Sequence, residues 1–296
     1  MDDSSSNFII DINSLEIALK NAPYLCEFIG YDKIMKRAET NPCFIHKIFS
    51  ENKYKLYQLY LEDIFRTITR HINNINYRRK DSKINQLLNP KDSSDILSEF
   101  EITANLIPYF KITPDYKIIA PKDLDLLIEY DDVKALIEIR TIHYNLSNGG
   151  TDFEGGRTKS TVTNKINKKF KDMKDIDLGM PFIQLFNIDG IRYASSLKNN
   201  MGILNAILGR QSLSIVTNTL TNTSEVEGLV RDEKGVINKD SIDLESIDFI
   251  TDIGFYQLAY NDHYYLDGIF FPVKGAKYKF SPEFWQIFTN AFFKDN

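Results

Sequence analysis

Two β-patterned runs in this 296-residue chain, Leu124 to Tyr130 and Val133 to Thr141, carry the residues whose types and spacing suggest chemistry. Only Asp131-Asp132 separates them, and a two-residue connection makes Tyr130 and Val133 partners in an antiparallel ladder. Counting outward from that pair puts Asp125 opposite Glu138, Asp123 opposite Arg140, Glu129 opposite Lys134 and Leu127 opposite Leu136 on one face. The other face pairs Leu124, Leu126, Ile128 and Tyr130 with Ile139, Ile137, Ala135 and Val133, an apolar surface suited to a core. Opposed side chains have Cβ atoms about 4.5–5.5 Å apart, so Asp125 and Glu138 repel unless something compensates. A divalent cation is one answer, because Mg²⁺ takes oxygen ligands and is commonly held by one or two carboxylates together with waters and phosphate oxygens. The other is a solvated sheet face on which Asp123–Arg140 and Glu129–Lys134 are weak cross-strand ion pairs, with Arg140 also reaching Asp125 or Glu138. A three-residue loop would shift the register and dissolve the acid pair.

The elements that must position this hairpin can be read on either side of it. Residues from about 13 to 80 have a helical pattern, clearest where Tyr57, Leu61, Ile64, Phe65, Ile68 and Ile72 recur at three and four. The polar, basic stretch Tyr77 to Lys83 reads as a linker or exposed connection, with a boundary near residue 90. The expected organisation is therefore an N-terminal helical region, 1–90, followed by a second domain, 91–296. A helix is expected from Ser94 as N-cap to Ile107, with Ile96, Leu97, Phe100, Ala104 and Ile107 on one face and Pro108 as its stop. After the hairpin come a Gly-rich loop from Asn148 to Gly156, a basic helix with Val162, Ile166, Phe170 and Met173 as its stripe, and an apolar strand from Phe182 to Ile188. Further on, Met201 to Leu208 reads as a helix, Ser214 to Thr221 as a strand, and Tyr264 to Val273 as a strand broken by Gly268. A last helix opens with Ser281 as N-cap and Pro282 at its first position. This order gives an α/β class, a mixed β-sheet flanked by helices.

With these residues in place, the segment from about 94 to 190 resembles the PD-(D/E)XK nuclease superfamily, whose restriction-endonuclease-like fold sets an acid on one strand of a hairpin and (D/E)-x-K on the next. Lys122 to Ile128 is similar to the first-acid strand and Ala135 to Thr141 to the second. The resemblance implies a Mg²⁺- or Mn²⁺-dependent nuclease acting on nucleic acid, DNA before RNA, with Asp125 and Glu138 as metal ligands. It also implies an assisting Glu on the preceding helix, where Glu101 is the candidate and Glu99 its close competitor. Pro114-Asp115 spells the first letters of the motif, but register prefers Asp125. The chain departs from the pattern at the lysine, which is Arg140. Arginine supplies charge and a bidentate grip on phosphate, yet cannot act as a base. Three outcomes stay open: Arg140 serves electrostatically, a lysine such as Lys165 or Lys168 takes the role, or the site is degenerate and the domain binds nucleic acid or protein without cutting. The helical region is a candidate for DNA recognition or for forming a homodimer.

Charge is unevenly spread. The net formal charge is -5 and the pI about 5.5, which excludes a general polycation. Between Arg157 and Lys174, however, seven basic residues stand against one acid. Arg157, Lys159, Lys165, Lys168 and Lys169 form a candidate phosphate-binding strip beside the hairpin. From Glu225 to Asp267 eleven acids stand against three basic residues. Two cysteines, Cys26 and Cys43, are too few for a disulfide framework. With no signal-peptide pattern and no long apolar run, a cytoplasmic protein without a membrane span is expected. The histidines His46, His71, His143 and His263 lack zinc-site spacing, and GxSxG and GxGxxG are absent.

Overall fold

The computed structural model describes residues 10–119, 122–141, 177–187, 211–218, 223–231, 250–273 and 275–292. The expected Gly-rich loop, the basic helix and the 201–208 helix lie outside them. The chain begins with helices α1 (Ile12–Lys20), α2 (Pro23–Ile29), α3 (Tyr31–Thr40), α4 (Phe44–Ser50), α5 (Lys55–Arg70), α6 (Lys80–Leu87) and α7 (Ser93–Leu106). In α5 the expected stripe is buried at Leu61, Ile64, Phe65 and Ile68, while Ile72 falls in a following 3₁₀ turn and is exposed. The stretch expected to be an exposed connection is instead the start of α6. Lys83, Ile84 and Leu87 are buried there, and Tyr77 packs against the helical core. Helix α7 starts after Asp92, so Ser94 lies in its first turn and is not the N-cap.

A six-stranded mixed sheet follows, in the order β1-β2-β3-β4-β7-β8. Its strands are β1 (Lys111–Ile119), β2 (Lys122–Tyr130), β3 (Val133–Thr141), β4 (Phe182–Asn187), β7 (Asp252–Asn261) and β8 (His263–Pro272). The meander β1–β2–β3 is antiparallel, β4 lies parallel to β3, β7 parallel to β4, and β8 returns antiparallel. A separate antiparallel pair is formed by β5 (Gln211–Asn218) and β6 (Thr223–Arg231). Strand β1 holds Pro114, which lacks a donor and is accommodated because β1 is an edge strand. Strand β8 runs unbroken through Gly268, which pairs with Tyr256. The closing helix α8 (Pro282–Phe292) has Ser281 as its cap, the hydroxyl accepting the Phe284 N–H at 3.2 Å.

Two cores meet at α7. Ile96, Leu97, Phe100 and Ala104 join the core of the preceding helices. Ile102 and Leu106 join the core between the sheet and α8, with Leu126, Ile128, Ala135, Ile137, Ile139, Phe284, Phe288 and Phe292. A helix buried on nearly all sides shows this weak segregation of apolar residues. The face of the hairpin expected to be apolar is thus the one that enters a core. The opposite face is closed as well, since Leu127, Leu136, Phe182, Phe186, Ile253 and Phe255 are all buried.

Candidate active site

The connection at Asp131-Asp132 sets the register as read: Tyr130 pairs with Val133, Glu129 with Lys134, Leu127 with Leu136 and Leu126 with Ile137. Asp131 takes a left-handed φ of 49°, which aspartate tolerates in tight turns. The paired ladder of β2 and β3 ends at Leu126–Ile137, short of the expected Asp125–Glu138 pair, and alternation carried one step further assigns both acids to the same face. There the Asp125 carboxylate crosses to β3 and accepts the Ile139 N–H at 2.6 Å. The backbone N–H is satisfied by a side chain, and Asp125 is fixed in place by it.

The electrostatics are those of crowded acids. Glu138 is only 1% exposed, whereas Asp125 keeps some solvent access. Burial, then the charges of Glu138 and Glu99, push the Asp125 carboxyl well above the usual carboxylate range. Burial also raises Glu99, to about 7, against the pull of Lys83. A solvated charged face therefore describes only the ends of this surface. At the loop end Lys134 and Glu129 pair at 3.0 Å with both side chains partly exposed. At the far end Asp123 approaches Arg79 at 4.0 Å. The cross-strand pair Asp123–Arg140 is not the contact found, because Arg140 turns along its own strand and donates to Glu138 Oε1. Arg140 keeps 46% of its side chain exposed.

Helix α7 presents Glu99 to this cluster. Glu101 receives the Tyr57 hydroxyl at 3.5 Å, on the side of α5. Residues two apart on a helix point away from one another, so one helix cannot aim both at the same site. Glu99 is bonded by the ammonium of Lys83, which also reaches Asp115 at 3.0 Å. Asp115 follows Pro114 on β1 between the pairs Pro114–Leu126 and Tyr116–Leu124, which sets it beside Asp125; its φ of 50° is left-handed. Lys83 and Asp115 are thus members of the cluster that sequence reasoning did not include. A buried lysine inside a polar-looking stretch gives no periodic signal, and Asp115 was outweighed by the register of Asp125.

Arg157, Lys159, Lys165, Lys168, Lys169 and His143 lie outside the described residues. Among the described residues no group of three or more His, Cys, Asp or Glu side chains is gathered to enclose a metal ion. Asp125 and Glu138 still offer the two carboxylates with which Mg²⁺ is commonly held when waters and phosphate complete its shell. Their mutual repulsion is what a cation there would relieve. No helix among the described residues is long and apolar enough to cross a membrane. No protein-family model, curated protein or solved structure matches the chain.

Proposed function

We propose that the protein is a metal-dependent endonuclease of restriction-endonuclease-like fold that hydrolyses phosphodiester bonds in DNA, using Mg²⁺ or Mn²⁺. The observation that carries this reading is the placement of Asp125 and Glu138 side by side on β2 and β3, in protein-crowded surroundings, with Arg140 next to them. The order α7, β2–β3, β4 supports it as far as the described residues go, since the helix that the resemblance sets between β3 and β4 lies outside them and β1 is an additional strand. Asp125 and Glu138 would hold the ion, which when bound supplies an acidified water as nucleophile and shields the phosphate. Arg140 is anchored on Glu138 yet exposed enough to meet a phosphate oxygen. It stays protonated, so its part is electrostatic. Glu99 takes the assisting place first assigned to Glu101, adding negative charge beside Asp125. Arg157, Lys159, Lys165, Lys168 and Lys169 carry the backbone contacts in this reading.

One observation favours a second reading, a non-catalytic nucleic-acid-binding or protein-interaction module on the same fold. The Arg140 guanidinium already engages Glu138 Oε1, which balances that acid without an ion. Incubating the protein with supercoiled plasmid in Mg²⁺ or Mn²⁺, beside Asp125→Ala and Glu138→Ala, separates the two. Metal-dependent nicking lost in both variants is expected of the nuclease. Cleavage that survives both substitutions would sink the site, and salt-sensitive binding with no cleavage in either metal would favour the module.

A further inference from the structure

We propose that the cleft between α3 and α6 is a binding site for the phosphate group of a nucleotide. It belongs to the helical region and does not rest on the metal-dependent reading above. The two helices run side by side in the same direction and are clasped at both ends. At their starts Lys33 pairs with Asp81 at 2.8 Å. At their far ends the Cys43 thiol donates to the Leu87 carbonyl oxygen at 3.6 Å. The buried His46 ring fixes that corner, accepting the Cys43 N–H on Nδ1 at 2.8 Å and therefore donating from Nε2 to the Ile34 carbonyl at 3.0 Å. Between the clasps lies an open cleft of about 470 Å³, lined by Arg37, Asn41, Ser82, Asn85, Gln86 and Asn89.

The walls carry helical spacing with the chemistry of a site. Helix α6 buries Lys83, Ile84 and Leu87, while Ser82, Asn85 and Gln86, continued by Asn89 just past its end, recur at three and four as the other stripe. Arg37 of α3 and its C-cap Asn41 form the second wall. Each of these side chains can donate a hydrogen bond, and among the described residues no carboxylate lines the cleft. Asp81, the acid next to Ser82, is already taken by Lys33. The side chains of Arg37, Asn41, Ser82, Asn85 and Gln86 have no ion pair or hydrogen bond among the described residues, and Asn89 commits only its Oδ1, to the Lys91 N–H at 3.0 Å.

An unpaired guanidinium among uncharged donors calls for a ligand that is anionic and rich in acceptor oxygens. A phosphate is both, and the planar fork of Arg37 grips two of its oxygens at once. The volume exceeds that of a bare oxyanion and falls in the range of small organic ligands, so the phosphate is carried on something of nucleotide size. Carboxamides donate and accept side by side, which suits the edge of a base. The phosphate comes from a free nucleotide or from the backbone of a strand, and the chemistry of the cleft is the same for both.

Calorimetric titration of the full-length protein in EDTA tests the cleft apart from any cleavage, with deoxyadenosine monophosphate as one probe and a short single-stranded DNA oligonucleotide as the other. Wild type is expected to bind at least one of them. Arg37→Gln is expected to weaken that binding about tenfold or more, and Gln86→Ala on the opposite wall about threefold or more. The probe whose binding falls with Arg37 identifies the source of the phosphate. No binding of either probe by wild type overturns the inference, as does binding of both that Arg37→Gln leaves unchanged. A loss in Arg37→Gln with Gln86→Ala at the wild-type level overturns it too, because charge alone then explains the result. Both side chains are exposed, so both variants are expected to melt with wild type. Should Arg37→Gln melt early, Asn85→Ala and Gln86→Ala decide, and wild-type binding by both overturns the inference.

Discussion

The Asp125 carboxylate accepts the Ile139 N–H at 2.6 Å, so one side chain both ties β2 to β3 and stands beside Glu138. These two duties respond differently to substitution. In Asp125→Asn an amide oxygen remains for the Ile139 N–H, while the charge that burial and its neighbours disfavour is gone. The expected outcome is a higher melting temperature with plasmid cleavage abolished. Asp125→Ala leaves the N–H of a buried residue unsatisfied and is expected to be about 1–3 kcal/mol less stable than the Asn variant by denaturant unfolding.

Arg140 anchors on Glu138 with a side chain that is almost half exposed. Arg140→Lys keeps the charge and loses the fork of donors that grips two oxygens at once. Cleavage by Arg140→Lys is expected to fall about tenfold with stability little changed, and Arg140→Ala to fall further and lose about 1–2 kcal/mol, discounted for the exposure of the pair. Plasmid nicking rates beside thermal melts separate the two effects. A gain of activity in Arg140→Lys would show that the arginine marks a decayed site.

Gly254 on β7 is set by close packing. A Cβ there would lie 2.4 Å from Leu185 Cδ2 and 2.6 Å from Phe270 Cε1. Gly254→Ala forces the buried Leu185 and the partly buried Phe270 aside and is expected to cost about 1–3 kcal/mol in denaturant unfolding. A neutral result would mean that β4 and β8 yield at this point.

Asp252 is lifted to about 7 by burial, from 3.8. The folded state therefore holds its proton at pH values where the unfolded chain has released it. Its contribution to stability is fully present below pH 3.8 and is lost as pH rises through about 7. Asp252→Asn removes this dependence. The stability of wild type relative to Asp252→Asn is expected to be flat below pH 3.8, to fall between 3.8 and about 7, and to level off above. Unfolding titrations across that range check it, and a constant difference would refute it.

The hairpin was legible because two local rules converged on it: a two-residue loop fixes partners, and alternation sorts the faces. Glu99 and Glu101 were not separable, since which side of a helix meets the sheet is decided by packing that spans distant segments. Pro114 hid β1, because a proline reads as a break unless the strand is known to be an edge. Strand β7 shows no clean alternation. It pairs with β4 on one side and β8 on the other, and Ile253, Phe255 and Tyr256 are all buried, so polar residues do not mark an outer face. Lys83 was hidden by its chemistry, as a charged letter among charged letters signals surface until its partners are known.

Helix α7 gives residues to both cores and carries Glu99, and the partner of Glu99, Lys83, sits on the far side of residue 90. Cutting the chain there would strip the cover from Ile96, Leu97, Phe100 and Ala104 and remove the ammonium from Glu99. The helical region and the sheet should therefore melt in a single calorimetric transition. Recombinant expression of 91–296 alone should give aggregated material, because the segment that looks detachable in the sequence shares its interior with the rest.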